Sequence, residues 1–184
     1  MQGSFYATYG MTETLSHIAL QKLNGSDASN YFQLLPGISI HADNQGCIVI
    51  KAAHLNAEPI VTNDLVEIID SNRFHLLGRF DSVINSGGVK IIPEKIEQVL
   101  ETILLEFGIN NRFFIIGLPD TSLGEAVTLV MEGEPLFSEK EIEIIKYLKS
   151  RLDRFEVPKA TRYVHQFVQT ETGKVDKLRT LKLI

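Results

Sequence analysis

Four short stretches of the 184-residue sequence carry side chains that could do chemistry. The first places hydroxyls and one carboxylate around a glycine, with Gly10 followed by Thr12 and Glu13. The second holds Asp64 at a break between two apolar runs. The third, residues 78–97, contains an Arg-x-Asp and a pair of glycines, and the fourth has a lysine next to a glycine near the C-terminus. Side-chain oxygens grouped in this way suit a polar ligand or a metal ion.

Each of these stretches also has an interpretation without chemistry. Thr12 or Thr14 could be the N-cap of a helix, and Asp64 could be the first residue of an Asx turn. Lys174 could be a solvated lysine in a polar loop. Its Gly-Lys pair does not belong to a P-loop, because the flanking positions lack the glycine and the Ser or Thr that this motif requires.

Residues 78–97 predict a β-hairpin that is followed by a helix. Two β-branched runs, at residues 83–84 and 89–92, flank the turn sequence Asn-Ser-Gly-Gly. Pro93 stands where a helix would begin, and Glu94 falls in its first turn. A hairpin with paired glycines at its tip can present backbone groups to a ligand.

The remaining sequence predicts an α+β fold. Residues 21–77 lack helical periodicity and consist of short apolar runs between turn residues, which indicates an antiparallel β meander or small barrel. After the hairpin, the apolar residues have the spacing of a buried helical face, and they are Ile96, Val99, Leu100, Ile103 and Leu104. Strands are predicted at 112–118 and 126–132, with a turn at 119–125 between them.

A second helix and a last strand complete the prediction. Ser138 and Glu141 have the spacing of a capping box. The buried face is predicted to comprise Ile142, Ile145, Leu148 and Leu152. Residues 157–158 would end this helix, and residues 162–168 would form a strand packed with the others in a small α+β domain.

The composition excludes several classes of function. The net charge is −5 and the basic residues are scattered, so we expect no nucleic-acid partner. No apolar run approaches the roughly 20 residues of a membrane span. Cys47 is the only cysteine, which precludes an internal disulfide and favours a reducing, cytoplasmic setting. The five histidines show no metal-ligand spacing, and no Gly-x-Ser-x-Gly sequence is present.

Taken in order, the four stretches resemble the motif series of the adenylate-forming superfamily, which includes acyl-CoA synthetases, peptide-synthetase adenylation domains and luciferases. The motifs are Tyr-Gly-Met-Thr-Glu at 9–13, Thr-x-Asp at 62–64, the block at 78–97 and Gly-Lys-x-Asp at 173–176. The resemblance implies that residues 1–79 are the β-rich tail of a large N-terminal domain. Residues 80–184 would be the complete small, mobile α+β C-terminal domain.

The resemblance also implies roles in adenylation. Thr12 would contact the ATP α-phosphate, Glu13 would hold Mg²⁺, and Lys174 would bridge the carboxylate and the α-phosphate. Asp64 would grip the ribose hydroxyls. The other residues that would belong to the nucleotide site are Tyr9, Gly10 and Arg79.

Further roles concern the second half-reaction and the acid. Asp81 would be the hinge, and the tip formed by Gly87 and Gly88 would line the tunnel for the CoA thiol. Ser16 and His17 would lie near the acid substrate. Because the family's lysine-containing phosphate loop has no counterpart in this sequence, we expect the chain to be a piece of a longer protein and to be inactive alone.

The function implied is that of an ATP-dependent acid–CoA ligase. ATP and Mg²⁺ would serve adenylation, CoA would be the co-substrate, and the partners would be a small carboxylic acid and the missing N-terminal domain, with a homo-oligomer left open. Within the family, residues 9–19 and 83–91 look most similar to the o-succinylbenzoate–CoA ligases of menaquinone biosynthesis. The alternatives are another acyl- or aryl-CoA synthetase, an enzyme that loads a carrier protein, and a non-catalytic nucleotide- or partner-binding module.

Overall fold

The chain forms two compact units, Met1–Asp81 and Ser82–Ile184. The structure, a computed structural model, describes residues 3–52 and 58–184, so His54 lies outside the described residues. The domain boundary expected from the sequence lay between residues 79 and 80. Each unit has its own sheet and its own buried core.

The first unit is a single antiparallel sheet, which confirms the predicted β-rich architecture. The strands are β1 (Tyr6–Gly10), β2 (His17–Lys22), β3 (Phe32–Leu34), β4 (Ile38–Ala42), β5 (Cys47–Ala52), β6 (Ile60–Ile68) and β7 (Arg73–Arg79). Their order is β1-β2-β3-β7-β6-β5-β4, and no pairing between β1 and β4 closes the sheet among the strands that the structure describes. Phe74 lies at the centre of the core and stacks on Phe32, with 5.5 Å between ring centroids.

The second unit has five strands and three helices. They are β8 (Ile84–Ser86), β9 (Val89–Ile91), α1 (Pro93–Glu106), β10 (Phe113–Asp120), β11 (Gly124–Glu132), α2 (Ser138–Arg151), β12 (Ala160–Val164) and α3 (Lys177–Leu181). The order β10-β11-β8-β9 is antiparallel, and β12 adds to β11 in parallel. The α+β class is therefore confirmed. None of the helices in the described ranges combines the length and apolar character of a membrane span.

The hairpin and the first helix form as predicted. Gly87 and Gly88 both have positive φ, 60° and 82°, as a two-residue type I′ turn between β8 and β9 requires. Pro93 is the first residue of α1. The helix buries most of the predicted face, namely Ile96, Leu100, Ile103 and Leu104, whereas Val99 is partly buried.

The prediction for α2 was wrong in two details. Ser138 is the first helical residue rather than the cap, and no side chain caps this end of the helix. Ile142 is 69% exposed, whereas Ile144, which was not predicted, is 2% exposed. Three isoleucines within four residues leave the phase of the apolar face ambiguous. The face that contains Ile144 and Leu148 packs against the core, and a residue two positions away points about 200° around the helix.

The observed boundaries of several helices and strands also differ from the predicted ones. Helix α2 ends at Arg151, not at residues 157–158, and the last strand is Ala160–Val164 rather than 162–168. Strand β10 continues through Pro119 to Asp120 and β11 begins at Gly124, so their connection comprises only residues 121–123. The short helix α3 was not predicted. It is capped by Asp176, whose Oδ1 accepts a hydrogen bond from the backbone N of Arg179 at 2.9 Å.

Candidate functional site

Strands β6 and β7 place Asp64 directly opposite Arg79. Arg79 Nη1 lies 3.4 Å from Asp64 Oδ1. The same guanidinium donates two shorter hydrogen bonds to Asp81, from Nε to Oδ1 at 2.9 Å and from Nη2 to Oδ2 at 2.8 Å. Two of the predicted nucleotide-binding residues and the predicted hinge residue therefore form one ionic cluster.

Tyr9 reaches this cluster from β1. Its hydroxyl donates to Asp64 Oδ2 at 2.7 Å, across 55 residues of sequence. Its ring packs against Phe32 and Phe74, with centroids 5.8 Å and 5.4 Å away. Burial, followed by the hydrogen bond to Asp64, raises the pKa of Tyr9 well above its ordinary value. The phenol is therefore a permanent donor that orients the Asp64 carboxylate.

The two carboxylates of the cluster differ in their exposure. The side chain of Asp64 is 15% exposed, whereas those of Arg79 and Asp81 are 54% and 53% exposed. The hydrogen bonds from Arg79 lower the pKa of Asp81 below its usual range. Of the two predicted partners of the ribose, the guanidinium of Arg79 is thus open to solvent, whereas the carboxylate of Asp64 is mostly buried.

A 3₁₀ turn at Thr12–Thr14 connects β1 to β2. The Thr14 hydroxyl is buried, accepts a hydrogen bond from the Met11 backbone N, and lies within 2.9 Å of the Met11 and Ser16 carbonyl oxygens. Thr14 therefore closes a local turn and does not cap a longer helix. The sequence indicated only a capping role for Thr14.

The exposed side chains of Thr12 and Glu13 are left on the outside of this turn. Gly10 is needed next to it, because a Cβ there would lie 2.6 Å from the Ser16 carbonyl oxygen. A single exposed carboxylate beside a hydroxyl fits Mg²⁺, which is commonly held by one or two carboxylates together with substrate phosphates. Across residues 3–52 and 58–184, no cluster of three metal-ligating side chains occurs.

Ser16 and His17 lie at the start of β2. Both are exposed, and Ser16 Oγ is 3.2 Å from His17 Nδ1. No contact with Tyr9 or Asp64 is among the described interactions of either residue. Their predicted place near the acid substrate stays a prediction.

In the second unit, Lys174 follows a tight turn near the C-terminus. The Thr170 backbone N donates to the Lys174 carbonyl oxygen at 2.8 Å, and the Gly173 N donates to the Thr170 oxygen at 2.9 Å. The side chain of Lys174 is exposed, and within the described part of the chain its ammonium has no ion pair or hydrogen bond. The backbone is held while the charge remains available to a ligand.

The glycines of the β8–β9 tip differ in their surroundings. A Cβ on Gly87 would lie 3.3 Å from Leu123 Cδ2, whereas a Cβ on Gly88 would meet nothing within 4 Å. The tip therefore presents backbone at Gly88 without side-chain cover from its own unit. The predicted place of this tip in the thiol tunnel stays a prediction.

The known proteins to which this chain is similar include AMP-forming acyl-CoA ligases. No protein-family model matches the chain. A 2-succinylbenzoate–CoA ligase from Bacillus cytotoxicus is 29% identical, over 92% of this chain and 40% of the relative. An AMP-forming acyl-CoA synthetase-like protein from Dyadobacter fermentans is 40% identical, with a TM-score of 0.55 over 99% of this chain and 51% of that structure.

A third comparison concerns the fold alone. The o-succinylbenzoate–CoA synthetase of Bacillus subtilis, solved with ATP and magnesium, has a TM-score of 0.77 at 18% identity and covers 97% of this chain. The chain spans less than half the length of the curated relatives that it matches. These similarities confirm the resemblance and the fold class that the motif series predicted.

Proposed function

We propose that this chain, which has the sequence pattern and the fold of the C-terminal part of AMP-forming acyl-CoA synthetases, is part of an ATP-dependent acid–CoA ligase. A carboxylate and ATP would give acyl-AMP and pyrophosphate, and acyl-AMP and CoA would then give acyl-CoA and AMP. The observation that carries the proposal is the 29% identity to such a ligase over 92% of the chain.

The chemistry accounts for the types of residue at the candidate site. When the substrate carboxylate attacks the α-phosphorus, two negatively charged groups approach each other and the bond to the β-phosphate oxygen breaks. The ammonium of Lys174 would neutralise charge between the carboxylate and the α-phosphate. Mg²⁺, held by Glu13 with Thr12 beside it, would supply positive charge to the phosphates. Removal of one such contact would slow adenylation by about 10²-fold or more.

The ionic cluster of the first unit would bind the nucleoside. Asp64 has a Tyr9 donor that fixes its orientation, so its oxygens are prepared to accept hydrogen bonds from the ribose hydroxyls. Arg79 is more than half exposed and would lie beside the ribose. Preorganisation of this kind lowers the entropy that is lost on binding.

We further propose that residues 1–79 are the tail of the large domain and that residues 80–184 are the complete small domain. Movement of the small domain about Asp81 would supply Lys174 for adenylation and the Gly87–Gly88 tip for thioester formation. The proposed acid is o-succinylbenzoate, supported by the name of the 29% identical relative, with Ser16 and His17 near it. The proposed setting is the cytoplasm, where ATP and CoA are available.

The test is ATP–pyrophosphate exchange by the longest reading frame that contains this chain. We expect o-succinylbenzoate to support exchange and acids without an aromatic ring to support it poorly. Lys174→Ala should abolish exchange, and Lys182→Ala, a matched change at another exposed lysine of the terminal segment, should leave it within twofold. The ligase proposal fails if no carboxylic acid supports exchange.

A binding measurement on the 184-residue chain separates the remaining alternative. Calorimetric titration with AMP should show binding that Asp64→Ala abolishes. AMP binding together with no exchange by the longer reading frame would indicate a non-catalytic nucleotide-binding module. Thioester formation with a phosphopantetheine-carrying protein but not with CoA would indicate a carrier-loading enzyme.

A further inference from the structure

Lys174 lies on a short hairpin that spans residues 168–176. Gln169 and Val175 form an antiparallel bridge, and the Thr170 backbone N bonds the Lys174 carbonyl oxygen. The Lys174 backbone N in turn donates to Thr170 Oγ1 at 3.2 Å. The position of Lys174 therefore depends on how the two ends of this hairpin are attached to the rest of the unit.

A buried threonine joins the two ends. Thr180 of α3 is 0% exposed, and its Oγ1 accepts a hydrogen bond from the Val168 backbone N at 3.0 Å. The backbone N of Thr180 donates to the Asp176 oxygen at 2.9 Å, and the Asp176 N donates to the Val168 oxygen at 2.8 Å. Residues 168, 176 and 180 are thus connected in a closed set of hydrogen bonds at the base of the hairpin.

A charged pair fixes the direction of α3 from the other side. Lys177 Nζ donates to Glu97 Oε1 of α1 at 3.0 Å, and the same oxygen accepts a hydrogen bond from the Ile115 backbone N at 2.8 Å. The ammonium also lies 5.3 Å from the centre of the Phe114 ring. Helix α3 is thereby attached to α1 and β10, three residues after Lys174.

We propose that Thr180 is a positioning residue for Lys174, assisted by the Glu97–Lys177 pair; this inference rests on the proposed role of Lys174 in adenylation. Lys174 has a flexible side chain and no described partner of its own. Its ammonium can reach a defined point only if its backbone is held. Small displacements of a catalytic group, of about 1 Å, can lower a rate 10²-fold. The buried hydroxyl supplies that restraint through Val168, because a methyl group in its place could not accept the hydrogen bond.

The structural part of the inference can be tested on the 184-residue chain itself. Thr180→Val keeps the shape of the side chain and removes the acceptor, whereas Thr180→Ser keeps the acceptor. Amide hydrogen exchange, followed by NMR, should be about fivefold to tenfold faster at Val168 and Lys174 in the valine variant. The serine variant should stay within twofold, as should the Ile115 amide in both variants. Unchanged exchange at Val168 and Lys174 in the valine variant would overturn the restraint.

The catalytic part requires the longest reading frame that contains this chain. Thr180→Val should slow acyl-AMP formation by about 10-fold to 100-fold with little change in the KM for ATP, and thioester formation from supplied acyl-AMP should stay within twofold. Thr180→Ser should restore adenylation. Equal loss of both half-reactions would overturn the positioning role.

Two controls keep the interpretation unambiguous. If Thr180→Val does not fold, Lys177→Met, which breaks the half-buried pair of Lys177 and Glu97, should produce the same selective loss of adenylation. Unchanged adenylation in Lys177→Met would overturn the inference. If Lys174→Ala leaves adenylation intact, the proposed function of the lysine fails, whereas the exchange result on the shorter chain still decides whether Thr180 restrains the hairpin.

Discussion

Tyr9→Phe removes one hydroxyl from the ionic cluster and leaves the aromatic ring in place. The ring remains packed between Phe32 and Phe74, so no cavity forms. The lost contact is a 2.7 Å hydrogen bond to the Asp64 carboxylate, which is largely buried. Hydrogen bonds to charged groups contribute about 1.5–3 kcal/mol. We therefore expect the free energy of unfolding of the first unit to fall by about 2 kcal/mol at pH 7.

The same variant should change the response to alkaline pH. The pKa of Tyr9 is raised in the folded protein, so the unfolded chain loses this proton first, near its ordinary pKa of 10.0. The contribution of the protonated phenol to the free energy of unfolding of the wild type is therefore fully present below pH 10 and declines above it. Between pH 9 and pH 11 the difference between wild type and Tyr9→Phe should shrink by about 1.4 kcal/mol, because one proton is involved.

The assay is urea unfolding followed by the isoleucine methyl resonances of Ile18 and Ile48, which lie in the core of the first unit. Tyr6→Phe is the matched control, since Tyr6 lies in the same strand and is about half exposed, and it should change stability by less than about 0.5 kcal/mol. An equal effect of the two substitutions at pH 7, or a constant difference from pH 9 to pH 11, would refute this account of the cluster.

Three further outcomes are expected. Ile144→Ala should lower the unfolding free energy of the second unit by about 2–5 kcal/mol in urea titrations, whereas Ile142→Ala should change it by less than about 0.5 kcal/mol; the reverse order would contradict the observed face of α2. Asp81→Asn should destabilise the chain by less than about 1 kcal/mol at pH 7. Because the pKa of Asp81 is lowered in the folded protein, the difference from wild type should begin to shrink near the ordinary value of 3.8 and vanish only below the lowered pKa. Gly10→Ala should lower the melting temperature of the first unit, at a cost of about 2 kcal/mol, since its Cβ would meet a carbonyl oxygen at 2.6 Å; an unchanged melting temperature would exclude the close approach.

The sequence predicted those elements whose signals are local. Pro93 and the glycine pair before it defined the hairpin and the start of α1, because backbone conformation at these residues is restricted by their own chemistry. The phase of α2 depended on which of Ile142, Ile144 and Ile145 meets the sheet. That choice is made by tertiary packing, and periodicity alone could not make it.

The candidate site shows the same division between residue type and arrangement. Asp64, Arg79 and Asp81 could be selected from the sequence because they stand in a motif series that resembles that of the adenylate-forming superfamily. The sequence could not show that one guanidinium joins both carboxylates or that Tyr9 orients one of them. The hydrogen bond between Tyr9 and Asp64 spans 55 residues and depends on the strand order of the sheet. The role of Thr180 could not be predicted, because the sequence does not distinguish a buried threonine from a solvated one.

The arrangement in the first unit also explains why these polar groups are compatible with a β-rich core. Asp64 accepts a hydrogen bond from Tyr9 Oη on Oδ2, and its Oδ1 faces Arg79. The phenol that enters the apolar cluster is thus paired, so its burial carries no unsatisfied donor. The exposed half of the guanidinium lies at the surface, where its charge is hydrated. A ligand with hydroxyl groups would have to donate to the lone pairs of the Asp64 oxygens that Tyr9 and Arg79 leave unused.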